Sequence, residues 1–325
     1  MPAAFESSSP LPVVAEVTRS GFVESWHAGS VVAIDGAGRT LLSVGAPDRP
    51  CFPRSSNKPL QATAMVRCGL GVPDELLALA SASHSGEDMH VTRVRALLAS
   101  AGLDESDLKC PPSLPLDDKA ARSVLAAGGE ADRVHMNCSG KHAGMLATCA
   151  VNGWPTESYL EPDHPLQRAI LSTIEELTGE RIAHVGVDGC GAPLFALTLT
   201  GLARGFSALV RAGEGTAERR VADAFRAHPE LTSGTERDEA RLMRGVPGLL
   251  DKGGAEAVSA VALADGRALA VKIADGGARA RTPVTVAALR ALDIRAAVLE
   301  ELATTQVTGG GRKVGQVSVV EGLFG

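Results

Sequence analysis

Short β-branched runs punctuated by glycine stand at both ends of this 325-residue chain and enclose a long stretch of helical periodicity. Near the N-terminus they are VVAEVTR at 13–19, FVESWH at 22–27, SVVAID at 30–35 and TLLSVG at 40–45. Asp35-Gly36 and Gly38 supply turn chemistry, so these segments read as an antiparallel meander. Toward the C-terminus, the aliphatic runs 257–263 and 268–274 are joined by Asp265-Gly266, a second hairpin signal. This distribution lacks the strand-helix alternation of a doubly wound parallel sheet. It predicts an α+β fold, one antiparallel sheet built from both chain ends with a helical region inserted. The sheet-forming parts lie at about 12–50 and 255–302 and the mostly helical part at about 55–250, all within one unit spanning 1–325.

Helical periodicity resumes at Ser55, with Leu60, Ala64 and Cys68 on one stripe and Gly69 placed to stop it. Pro59 is tolerated only in a first helical turn, which puts the helix start at Ser55 or Ser56. Further helices are expected at 74–82, 90–101, 119–127, 141–151, 164–177, 194–212, 218–227 and 283–302, followed by a glycine-rich tail.

A chain that is 45% hydrophobic can bury a sizeable core, while a net charge of -6 and 3% aromatic residues give neither a basic stripe nor stacking platforms for nucleic acid. No run approaches the roughly 18 apolar residues of a membrane span. The Ser/Pro-rich start, MPAAFESSSPLP, has no basic n-region and is read as a mobile segment of a cytoplasmic protein. Six scattered cysteines suit reduced thiols or metal ligands better than a disulfide scaffold.

Five polar blocks interrupt the apolar pattern: PRSSNKPLQ at 53–61, SHSGE at 83–87, NCSGKHAGM at 137–145, DGCGAP at 188–193 and KIADGG at 272–277. Most pair reactive side chains with glycines, which let backbone N–H groups approach a ligand, and together they read as walls of one pocket. In the first block Ser55 and Lys58 form an SxxK pair, and on a helix such residues share a face, so a neutral Lys58 could take the Ser55 proton directly. Taken alone, SxxK is equally a capping serine beside a solvated lysine. Ser83 is a second hydroxyl, and Lys272, the inward polar residue of an aliphatic strand, is its expected base. Such a lysine must be desolvated or sit near another cation to lose its proton. Cys138, Lys141 and Cys190 could fill three positions of a tetrahedral zinc site, although the two cysteines also read as small buried residues. GxGxxG, GxxxxGK, GxSxG, CxxC, HExxH, SDN and KTG are all absent.

In family order, EVTRSGFVESWHAG, PRSSNKPLQA, ASHSGE, NCSGKHAGM, DGCGAP and KIADGGARA resemble the rhizobial-type, or class 3, L-asparaginases of the asparaginase II family. The resemblance implies a fold related to serine β-lactamases and glutaminases, a homodimer, and hydrolysis of L-asparagine to L-aspartate and ammonia. It places two Ser-Lys pairs on Ser55 with Lys58 and on Ser83 with Lys272. It assigns zinc ligation to Cys138, Lys141 and Cys190, and substrate contact or support to Arg54, His142 and Asp188. Zinc could orient the substrate or polarise its carbonyl, and orientation is expected because a Ser-Lys mechanism already contains its nucleophile and base. The tail TGGGRKVGQV departs from the family pattern. The alternatives are a related glutaminase or amidase, a penicillin-interactive serine hydrolase, or an inactive zinc-stabilised binding protein.

Overall fold

The computed structural model describes residues 10–324, so most of the Ser/Pro-rich start lies outside the described residues. Within them the chain is α+β, as the sequence predicts. Strands β1 (Val13–Arg19), β2 (Phe22–Ile34) and β3 (Thr40–Val44) form the N-terminal meander. A single 3-10 turn, Arg54–Asn57, runs into α1 (Lys58–Arg67). Then come α2 (Asp74–Ala80), α3 (Asp88–Ser100), α4 (Asp118–Ala126), α5 (Ser139–Asn152) and α6 (Pro165–Thr178). A two-stranded ribbon, β4 (His184–Val187) with β5 (Pro193–Ala196), precedes α7 (Leu199–Arg211), α8 (Ala217–Ala227), α9 (Pro229–Thr232) and α10 (Asp238–Gly245). The chain closes with β6 (Leu250–Gly254), β7 (Val258–Ala262), β8 (Ala268–Ile273), α11 (Ala278–Ala291), α12 (Ala297–Glu301), β9 (Thr305–Gly309) and β10 (Arg312–Val319).

Eight strands make one sheet in the order β6-β7-β8-β2-β1-β10-β9, with β3 also paired to β2. Every pairing is antiparallel. The long β2 joins the two ends of the chain: its first half pairs β1, and from Gly29 onward it pairs β8. Strands β6, β7 and β8 are buried almost throughout, because α7 and α11 pack on them. Among the described residues, no helix is long and apolar enough to cross a membrane.

Five sequence expectations need correction. The helix expected over 283–302 is two, because α11 ends at Ala291 and Asp293, at φ 62°, turns the chain before α12 starts at Ala297. The glycine-rich tail is a hairpin, in which Gly310 and Gly311 at φ 56° and 74° turn β9 into β10, and β10 then pairs with β1. The helix expected from 194 starts at Leu199, since Pro193–Ala196 pairs with β4. FVESWH and SVVAID are one strand. The α-helix expected from Ser55 or Ser56 begins at Lys58, after the 3-10 turn.

Candidate active site

The turn carrying Ser55 is clamped between the sheet edge and α1. Arg54 holds a left-handed φ of 52°, and its guanidinium is fixed by a 2.8 Å ion pair from Nε to Asp188 Oδ1. On the other side lies β6. A Cβ on Gly254 would come within 2.7 Å of Pro53 O and 3.0 Å of the Ser56 nitrogen, so only glycine lets the strand approach this turn.

Lys58 is buried, and an amine out of water needs hydrogen-bond partners. It has three: Nζ lies 2.7 Å from Ala82 O, 2.7 Å from Ser83 Oγ and 3.0 Å from Cys138 Sγ. The SxxK lysine therefore engages Ser83, and Ser55 is not among its partners.

Ser55 and Ser83 face one cavity of about 540 Å³, whose wall also includes Asn137, Ser233, Arg237, Glu239, Lys252 and Arg281. Lys252, on β6, was not singled out from the sequence. It is 2% exposed, and burial lowers its pKa from 10.5 to about 7, Glu239 pulling it back up while Lys58, Arg281 and Arg237 push it down further. Its amine donates to Gly253 O. Glu239 is itself buried and paired with Arg281 at 2.7 Å. Burial opposes its ionisation, yet the charges of Arg281, Arg237 and Lys252 overcome that and bring its pKa down to about 2. The sequence signal for Lys252 was available, because KGGAE repeats the pattern of a reactive side chain followed by glycines.

The expected pairing of Ser83 with Lys272 does not form. Lys272 Nζ donates to Glu256 O at 2.6 Å and Ile273 O at 2.7 Å. Strand alternation does put Lys272 and Ala274 on one face, but that face lines a different cavity.

Behind Ser83 lies a buried sulfur cluster. Cys138 Sγ donates to Asn137 Oδ1 at 3.0 Å and Cys190 Sγ to Asp188 Oδ2 at 3.7 Å. The nearness of the two sulfurs drives the Cys190 thiol pKa strongly down, with Lys141 assisting against burial, and the Cys138 thiol pKa well up. Lys141 Nζ donates to Cys190 Sγ at 3.1 Å. Burial opposes the Lys141 charge, but Cys190, Cys138 and Asp188 outweigh it and raise its pKa. The three proposed zinc ligands are thus brought together. Among the described residues no group of three or more His, Cys, Asp or Glu is arranged to hold a metal. His142 Nδ1 is 2.6 Å from the Tyr159 hydroxyl, while its buried Nε2 has no hydrogen-bond partner among the described residues. Arg54, His142 and Asp188 do not line the cavity of Ser55 and Ser83. They stand around the sulfur cluster instead.

Solved structures similar to this chain include a β-lactamase from Mycobacterium bovis, at 17% identity, 86% coverage of this chain, 96% of that one and a TM-score of 0.46. Another is EstCE1, a hydrolase with promiscuous acyltransferase activity, at 12% identity, covering 82% and 91%, with a TM-score of 0.41. A comparison with curated proteins finds no match. The family model described as L-asparaginase II matches residues 15–319. Nearly the whole chain, including every polar block that builds the cavity and the sulfur cluster, lies inside that match, and the chain belongs to the L-asparaginase II family of amidohydrolases.

Proposed function

We propose that this amidohydrolase cleaves L-asparagine to L-aspartate and ammonia through an acyl-enzyme on Ser55. The observation that carries the reading is two serine hydroxyls on one cavity served by two buried lysines, Lys58 and Lys252. Ser55 is the preferred nucleophile because it stands at the start of the helical turn into α1, whose dipole favours a developing anion. The Ser83 N–H, by contrast, is already directed at Thr232 O, at 3.4 Å.

Ser55 Oγ attacks the carboxamide carbon, and its proton passes by way of Ser83 to the neutral form of Lys58, whose N–H groups go to Ala82 O and Cys138 Sγ while its lone pair faces the Ser83 hydroxyl. The proton returns to Ser55 by the same route when the ester is hydrolysed. Backbone N–H groups near Ser55 hold the oxyanion. Lys252, close to half-protonated at neutral pH, gives a proton to the departing nitrogen, which leaves as ammonia. The neutral amine then accepts a proton from water as the water attacks the ester, and aspartate is released with Ser55 restored.

Cys138, Lys141 and Cys190 suit a zinc ion chemically, since two thiols and an amine converge on one buried point. A nitrogen and a sulfur ligand in a tetrahedral zinc site lie roughly 3.6 Å apart, and the 3.1 Å between Lys141 Nζ and Cys190 Sγ needs little adjustment. A bound zinc would supply positive charge that orients the substrate. Lys141 must then give up its proton, and Arg54, Asp188 and His142 support the ligands from behind. A homodimer is part of the same proposal and rests on the family resemblance.

The test is intact-mass analysis of enzyme quenched during asparagine turnover, followed by peptide mapping, together with S55A and S83A. The aspartyl adduct is expected on Ser55, with S55A inactive. An adduct on Ser83, or near-normal turnover by S55A, would overturn the assignment. Parallel assays with glutamine decide whether the longer amide is also a substrate.

A further inference from the structure

Lys272, which the mechanism leaves unused, opens onto a second cavity of about 500 Å³ that shares no residue with the one holding Ser55 and Ser83. Its wall is mostly apolar, with Phe52 and Leu199 among its larger side chains. Set into that wall is Lys272, and among the described residues that line it there is no aspartate or glutamate. The Lys272 amine gives two of its three N–H groups to the carbonyls of Glu256 and Ile273. Ser30, 5% exposed, accepts the Ala46 N–H through its hydroxyl oxygen, and among the described residues its own proton has no acceptor.

From this juxtaposition we infer that the second cavity is a binding site for a small organic carboxylate with an apolar body. The carboxylate sits at Lys272 and Ser30, and the body lies against Phe52 and Leu199. A concave, largely apolar site with a few convergent polar groups is the usual form of a small-molecule pocket. Here the sign of those groups selects an anion. Burial lowers the Lys272 pKa, whereas the Cys51 thiol, Glu256 and Asp275 draw it back toward the charged form. A carboxylate arriving in the pocket acts in that same direction, so binding favours the ammonium it requires.

The experiment is calorimetric titration of the full chain with octanoate, octylamine and sodium acetate, repeated on K272M and on A183F, which narrows the cavity from its wall. Octanoate is expected to bind and octylamine and acetate are not. K272M should weaken octanoate by at least about tenfold through loss of a charge-assisted hydrogen bond, and A183F should weaken it comparably by occupying space. Both variants should keep the melting temperature and asparagine turnover of the parent. Octanoate binding that survives both substitutions, that is displaced by asparagine, or that octylamine equals would overturn the inference, as would no octanoate binding at millimolar concentration. Because the readout is binding, these outcomes do not depend on whether asparagine is the substrate.

Discussion

The Lys58 amine lies 2.7 Å from the Ser83 hydroxyl, although 25 positions separate them in sequence, and the same amine donates to Cys138 of the sulfur cluster at 3.0 Å. One buried lysine thus joins the serine cavity to the proposed metal position. Replacing it with methionine keeps the stem and removes the amine, so the fold should survive while turnover falls by at least about 100-fold, the usual scale of general-base loss. Steady-state assays with circular dichroism check this. Activity within tenfold of the parent in a folded K58M would remove Lys58 from the chemistry.

Lys252 predicts a pH dependence. With its pKa near 7 in the fold, its neutral fraction, and with it kcat where deacylation limits, rises through a midpoint close to pH 7. The same shift makes Lys252 costly to bury. Above about pH 10.5 the lysine is neutral both folded and unfolded and carries no penalty. As pH falls the unfolded state binds the proton first, and below about pH 7 the penalty is complete, on the order of 4 kcal/mol. K252M should therefore be inactive yet melt higher than the parent at pH 7, with the gain vanishing toward pH 10.5. An active K252M, or one that melts lower at pH 7, contradicts this.

Much of the fold was legible because local signals and tertiary context agree. The Asp265-Gly266 turn, the β-branched N-terminal runs and most helices between α2 and α8 declare themselves by period and punctuation. The tail did not, because its glycines break the strand pattern and read only as a tail after the last helix, while KVGQVSV pairs with β1, some 300 positions away. The ribbon of β4 and β5 has strands of only four residues, too short for alternation to show. At the site, the glycine-flanked blocks marked Ser55, Ser83 and the cysteines. Which lysine meets which serine was hidden, because a four-carbon stem reaches acceptors whose positions only packing fixes. Lys272 and Lys252 both lie on buried strands, and nothing local says which one faces Ser83.

Glu239 controls Lys252 from across the cavity. In E239Q the anion that favours the Lys252 ammonium is gone, so the midpoint of the pH–rate profile should move to lower pH. Arg281, left buried without its 2.7 Å partner, should cost about 3 to 5 kcal/mol. Adding R281M should recover much of that stability by removing the uncompensated charge. Thermal melts and pH–rate curves of the three proteins test both statements. A midpoint moving to higher pH would show that Glu239 does not act on Lys252.

The sulfur cluster makes zinc a measurable question apart from activity. Purified protein should carry about one zinc per chain, and chelation should lower its melting temperature. C138S, C190S and K141M should each lose most of the metal. Metal binding should release protons at pH 7, since the Cys138 thiol and the Lys141 ammonium must both surrender one. Elemental analysis with calorimetry in buffers of different ionisation enthalpy reads this directly. Metal-free protein with an unchanged melt after zinc addition would leave the cluster a thiol–amine network only.

Gly254 is the point where strand geometry should control catalysis without touching substrate chemistry. In G254A the new Cβ would meet Pro53 O and the Ser56 nitrogen at 2.7 and 3.0 Å. Both are backbone atoms, so β6 or the Arg54–Asn57 turn must shift. Overpacking of this kind costs about 1 to 3 kcal/mol, and a displacement approaching 1 Å at a nucleophile can cost on the order of 100-fold in rate. The expected result is a drop in kcat of about ten- to 100-fold with zinc content unchanged, because α5 and the Cys190 loop are not part of the contact. If G254A instead kept full kcat, Ser55 would not depend on this clamp, and the nucleophile would have to be sought at Ser83, whose position is held by Lys58 and Thr232.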